Sequence, residues 1–315
     1  MKKILFQWVE SKTSWLLLVT CLPFLCNCSD SPQLLEDAEV EDSIHIQPPV
    51  TEAKLDSVEF HCQRDNLKIY GKLYKKVAEG QCAPAVILSH SSSLTHEAMK
   101  SYARKLAERG MVTYCFDFCG GSSKSKSDGS TDSMTVFTEV EDLKAVVKSI
   151  RNLEEVYSDS IYLLGSSQGG LVSALAAEEL DRQVCGMILF YPAFNIPDMV
   201  KQFSSWMGTG GNIGHLGGMM GENFVNTIKD FDVWSHIGNY SGPVTILHGS
   251  NDIIVPVSYS QKAVELYKNA SLHIIEGANH GFNAANLGGF SGIMGGTTDF
   301  DAEVMPWVYA AVGRP

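Results

Sequence analysis

The chain has 315 residues, 44% hydrophobic and 19% charged, with a formal net charge of −12. That is ordinary globular composition, long enough to bury a sizeable core and to form one large folded domain. It excludes the basic footprint of a nucleic-acid binder, and beyond the N-terminus no apolar run approaches the roughly 18 residues of a membrane span.

Lys2 and Lys3 precede the apolar run Trp15 to Leu25, a charged region followed by an apolar stretch of signal-peptide length. No A-x-A cleavage site follows. The run ends in Leu25-Cys26-Asn27-Cys28-Ser29-Asp30, which resembles a bacterial lipoprotein signal. Cys28 is the expected lipidated residue and Cys26 the alternative, with Cys26 and Asn27 standing where small residues are usual. An ordinary cleaved signal and an uncleaved anchor are the competing readings. All three put the domain outside the cytoplasm, as a cell-envelope lipoprotein or a secreted protein, and the first tethers it to a membrane. Residues 29–55 read as an acidic linker: between Ser29 and Val58 eight acids face one lysine, and such a segment stays solvated.

A single folded domain is expected over residues 56–315. Val58 to Val77 alternates polar and apolar residues around Arg64-Asp65-Asn66, which predicts an antiparallel hairpin. Ala85-Val86-Ile87-Leu88 reads as a strand buried on both faces, followed by a helical pattern from Ala98 to Arg109 and a strand from Met111 to Phe118. Thr138 to Leu153 carries Val140, Leu143, Val146, Val147 and Ile150 on one face, the pattern of an amphipathic helix. Glu139, Glu141 and Asp142 are read as its solvated side. Ile161 to Leu164 and Met187 to Phe190 are strands, with an alanine-rich helix from Leu171 to Leu180 between them. Val244 to Leu247 and Leu272 to Ile275 are strands, with helices from about Val257 to Tyr267 and from about Asp301 to Val312. This alternation predicts right-handed crossovers, a mostly parallel sheet flanked by helices, and a site at the carboxyl ends of its strands.

Five cysteines lie beyond the signal: Cys62, Cys82, Cys115, Cys119 and Cys185. Their odd number and irregular spacing argue against a disulfide framework. Cys115 and Cys185, in apolar runs, are expected to pack as small hydrophobes. Cys115 and Cys119 have no histidine at zinc-site spacing.

Gly165-Ser166-Ser167-Gln168-Gly169 joins a strand to a helix, the setting of a G-x-S-x-G nucleophile elbow, and Ser167 is the candidate nucleophile. Asp252 falls in the loop after one later strand and His280 in the loop after the next. The serine, acid, histidine order is that of the elbow hydrolases. Acyl transfer also needs two preorganised N–H donors for its oxyanion. The N–H of Gln168 is one candidate and that of Ser92, in His90-Ser91-Ser92-Ser93, is the other, with Ser91 as the alternative to Ser92.

These segments resemble the α/β-hydrolase superfamily, and within it the cinnamoyl and feruloyl esterases and related bacterial esterases. The resemblance covers about residues 57–285. It is carried by Cys115-Phe116-Asp117-Phe118-Cys119-Gly120-Gly121-Ser122, Asp128-Gly129, Met134-Thr135-Val136, Glu139 to Leu143, the elbow with Gly170, His248 to Pro256, and Glu276 to Phe282. Two departures stand out: His90-Ser91-Ser92 where the family has His-Gly and a bulky residue, and Cys119-Gly120-Gly121 in place of a G-H-G-like turn. The resemblance implies an α/β-hydrolase fold, a Ser167–Asp252–His280 triad and oxyanion donors at Ser92 and Gln168. It implies a serine esterase acting through an acyl-enzyme on small-molecule or oligosaccharide esters, with feruloyl or short-chain acyl esters of plant polysaccharide as the substrate class. No metal or organic cofactor is required. A dipeptidyl or acylaminoacyl-type serine peptidase is the alternative enzyme, and a non-catalytic binding lipoprotein the alternative of another class.

The stretch from about 193 to 240, after the sixth strand, has the place of a small lid. Gly208, Gly210, Gly211, Gly214, Gly217, Gly218 and Gly221, with Trp206, Met207, Met219 and Met220, suggest a mobile apolar cover. A packed loop is the other reading.

Overall fold

The computed structural model describes residues 54–207, 221–282 and 301–313. The signal, most of the acidic linker, Cys28 and the glycines from Gly208 to Gly218 lie outside the described residues.

Eight strands form one sheet: β1 (Asp56–Arg64), β2 (Leu67–Lys75), β3 (Ala83–Ser89), β4 (Val112–Phe116), β5 (Val156–Ser166), β6 (Gly186–Phe190), β7 (Val244–Gly249) and β8 (Ala270–Ile275). Their spatial order is β1-β2-β4-β3-β5-β6-β7-β8. β1 and β2 make the expected hairpin, β2 joins β4 antiparallel, and every later neighbour pair is parallel. The chain steps outward from β3 to β4, then crosses to the other side of β3 at β5. That reversal opens a crevice at the carboxyl ends of β3 and β5, where open α/β sheets bind ligands.

The helices are α1 (Lys100–Glu108), α2 (Val136–Ile150), α3 (Gln168–Leu180), α4 (Ile196–Met207), α5 (Glu222–Ile228), α6 (Val257–Leu266) and α7 (Asp301–Ala311). Successive strand residues point to opposite faces, so each central strand feeds two cores. Ile87, Tyr114, Phe116, Leu163 and Leu189 pack with α2 and α3 on one face. Val86, Leu88, Cys115, Leu164 and Phe190 pack with α1 and α7 on the other. Continuous apolar runs are what such doubly covered strands require.

The boundaries shift for local reasons. α2 starts at Val136 because Thr135 caps it: Thr135 Oγ1 accepts from Thr138 N at 3.1 Å, and Thr138 Oγ1 accepts from Thr135 N at 2.9 Å. Thr138 is therefore the third helical residue. β4 stops at Phe116, after which Asp117 N donates to Tyr70 O at 2.9 Å and its carboxylate turns to other partners. Cys115 is buried as expected, but Cys185 precedes β6, is only half-buried, and its thiol donates to Asp159 O.

The reading of Glu139 and Asp142 as solvated is overturned. They are 1% and 0% exposed, because they lie one turn apart beside Val140 and Leu143 and share the inward face of α2. Glu141 does face solvent, paired with Lys144 at 2.8 Å. In the segment after β6, Phe194, Val200, Phe224, Val225, Ile228 and Val233 belong to the core beside α2 and α3, so its described part is packed.

Candidate active site

Ser167 sits between the end of β5 and the first residue of α3, with φ 53° and ψ −116°. A non-glycine residue there is strained by about 1–3 kcal/mol, and the close approach around it excludes side chains on either side. A Cβ on Gly165 would collide with Gly169 O, and one on Gly169 would come within 2.5 Å of Ser89 O and 2.6 Å of His90 O. The two elbow glycines thus let α3 press against β5 and β3. Ser167 O receives Gly170 N at 2.9 Å and Leu171 N at 3.2 Å, which starts the helix. The N–H of Gln168 precedes them and is one of the helix's unpaired first-turn donors, pointing positive charge density toward the serine.

Ser167 Oγ lies 3.0 Å from His280 Nε2, and His280 Nδ1 lies 2.7 Å from Asp252 Oδ2. Three residues spread over 113 positions of sequence are thus brought into one chain of hydrogen bonds. Ser167 is 5% and His280 1% exposed. Asp252 Oδ1 accepts from Ile254 N and Val255 N, each at 2.9 Å, which fixes the carboxylate in its loop. Burial alone would raise the Asp252 pKa. Hydrogen bonds from His248 and His280, the charge interaction with His280 and the N–H of Val255 outweigh burial and hold the carboxyl well below its usual range. It is therefore an anion, able to orient an imidazole and to stabilise an imidazolium.

Two neighbours of the triad were given no role by the sequence, although one of them, His248, opens the His248 to Pro256 segment. His248, on β7, is fully buried, with Nε2 3.1 Å from Asp252 Oδ2 and 2.8 Å from Val255 O. Its Nδ1 faces Ser260 Oγ at 2.7 Å. With the Ser260 hydroxyl donating to Nδ1, the Nε2–H points at Asp252 and Val255. Tyr191 follows β6 at φ 36°, and its ring lies 4.5 Å from that of His280. A positive φ at a bulky residue marks a strained position, and the ring braces the imidazole.

On the other side of Ser167, His90 is buried and accepts Phe118 N on Nε2 at 3.2 Å, so its Nδ1–H donates to Ser91 O at 2.8 Å. Leu94 N donates to the same oxygen at 3.2 Å. In a trans peptide the C=O and the following N–H point oppositely, so anchoring Ser91 O aims the Ser92 N–H away from it. Ser91 Oγ lies 3.0 Å from Ser166 Oγ, tying this loop to the residue before the nucleophile. Among the described residues neither the Ser92 nor the Gln168 N–H has an intramolecular acceptor.

The loop after β4 is fixed behind this site. Asp117 Oδ1 accepts His96 N and faces His96 Nδ1, both at 2.7 Å, and Asp142 joins Arg64 Nε at 2.5 Å to Cys119 N at 2.8 Å. Among the described residues no group of histidine, cysteine and acidic side chains could hold a metal ion.

A strained serine on a strand-to-helix turn, relayed through histidine to a buried aspartate at the carboxyl edge of this sheet, is the arrangement that activates a hydroxyl for attack on a carbonyl. The chain has the α/β-hydrolase fold. A sequence profile described as serine aminopeptidase, S33, matches residues 80–214. The solved structure of Est1E from Butyrivibrio proteoclasticus with ferulic acid bound is similar, with a TM-score of 0.60 and 26% identity, covering 70% of this chain and 91% of that one. The α/β hydrolase GrgF from Penicillium sp. sh18 shares the fold, with a TM-score of 0.59 and 19% identity over 82% of this chain and 99% of that one. A proline iminopeptidase of Thermoplasma volcanium is 26% identical over 187 residues, 58% of this chain and 56% of its own length.

Proposed function

We propose that the protein hydrolyses carboxylic esters through an acyl-enzyme on Ser167. His280 Nε2 takes the Ser167 proton as Oγ attacks the ester carbonyl, and Asp252 holds the imidazole and stabilises its charged form. The N–H groups of Gln168 and Ser92 bind the oxyanion. His280 returns its proton to the leaving alcohol, and a water activated by the same imidazole frees the acid. The observation that supports this most is the continuous Ser167–His280–Asp252 relay at 3.0 and 2.7 Å.

Aromatic acyl groups of the feruloyl type are the proposed substrate class, supported by the likeness to Est1E solved with ferulic acid. The N-terminal signal supports export, with Cys28 lipidated and the acidic linker holding the enzyme off the membrane. The insertion after β6 is proposed to cover the acyl site. The peptidase reading draws on the names of the matching profile and of the iminopeptidase. A panel of short-chain, long-chain and feruloyl esters with an aminoacyl anilide separates the two. Ester turnover supports the proposal, cleavage of the anilide alone moves the protein to the peptidases, and silence on every substrate, with no labelling by a serine-directed phosphonate, leaves a binding protein.

A further inference from the structure

Gln168 supplies a proposed oxyanion N–H, but its side chain turns back into the protein. Its Nε2 donates to Glu139 Oε2 on α2 at 2.7 Å, and both residues are 1% exposed. A plain amide-to-carboxylate hydrogen bond leaves two facts unexplained. The first is charge. From α2 itself the group facing Glu139 is Asp142, another acid; Arg64 of β1 and the N–H of Cys119 are committed to Asp142; and α3 offers only the neutral Gln168. Among the described residues no cation faces Glu139, and a buried anion without one is costly. The second is that, among the described residues, Gln168 Oε1 is buried and has no donor.

One proton answers both. We propose that Glu139 is a neutral carboxylic acid that clasps the Gln168 amide at two points, accepting from Nε2 and donating its own O–H to the otherwise unpartnered Oε1. The clasp fixes Gln168 from behind and thereby holds its backbone N–H beside Ser167. Glu139 acts as a positioning residue, and its kinetic role rests on the esterase reading above. Burial agrees with the geometry: it raises the Glu139 pKa to about 8, against the opposing hydrogen bond from Gln168 and with the help of the nearby Asp142 charge.

The test compares the purified protein with Glu139→Gln and Glu139→Ala. An acid with a raised folded pKa binds its proton more tightly when folded, so stability falls as pH rises from the unfolded value, about 4.3, toward the folded one. Glu139→Gln keeps a neutral two-point partner and has no proton to lose. Relative to wild type its unfolding equilibrium becomes more favourable to the folded state by about tenfold per pH unit between pH 5 and 8. The infrared carbonyl stretch of a protonated carboxyl group, present in wild type at pH 6, is absent from this variant. In turnover, Glu139→Ala lowers kcat by roughly tenfold or more with KM little changed, Glu139→Gln recovers most of that loss at neutral pH, and the wild-type fall in kcat above pH 8 is missing from the Gln variant. A flat stability difference across pH 5–8, or no protonated-carboxyl band in wild type, overturns the proposal. Those two readouts need no substrate, so they stand or fall apart from the ester reading, and the wild-type infrared titration decides the matter if a variant does not fold.

Discussion

His90 Nδ1 donates to the carbonyl oxygen of its own neighbour Ser91 at 2.8 Å, while its Nε2 receives Phe118 N. The imidazole thereby sets the plane of the peptide whose N–H belongs to Ser92. Burial holds its pKa below the ordinary histidine value, so the ring stays neutral and keeps both roles. His90→Ala frees that peptide. The expected result is a loss of kcat approaching the ~10²-fold seen when one oxyanion donor is removed, with KM little changed, as steady-state kinetics on a short-chain ester will show.

At Gly169, α3 lies against the end of β3 with no room for a side chain. A methyl group there meets the carbonyls of Ser89 and His90, which neither strand nor helix can yield without moving Ser167. Gly169→Ala is expected to cost about 1–3 kcal/mol of stability and to reduce phosphonate labelling of Ser167, both measurable on the same sample by thermal unfolding and mass spectrometry.

Asp252→Asn keeps the shape of the side chain but removes the anion that orders His280. A loss in kcat on the order of 10⁴-fold is expected, by analogy with the same change in a serine protease triad. The wild-type carboxyl also bears on stability. Because its folded pKa is depressed, its contribution is present above the unfolded value of about 3.9 and is lost as pH falls below it. Chemical unfolding between pH 5 and 3 should show a steeper acid loss for wild type than for Asp252→Asn.

What the amino-acid sequence made legible was what is local. The glycines around Ser167, the apolar runs of β3 to β7 and the loops holding Asp252 and His280 all read correctly because strand burial and turn geometry leave short-range marks. What was hidden depends on partners far along the chain. Glu139 and Asp142 look like surface charges until Gln168, 29 residues on, and Arg64, 78 residues back, are seen beside them. Their phase with Val140 and Leu143 was the available signal, overridden by their charge. Thr135 as a cap was written in the Thr135–Thr138 pair. Nothing near Tyr191 marks its positive φ or its ring on His280, because both follow from how β6 meets the neighbouring strand ends.

Whether Ser167 is the nucleophile of an esterase is decided by Ser167→Ala assayed beside wild type on feruloyl and short-chain esters. Wild type is expected to turn over and the variant to show nothing above the uncatalysed background, with the two unfolding at the same temperature to within a few degrees. Substantial ester hydrolysis by Ser167→Ala, or none by a folded wild type, would contradict that role for Ser167.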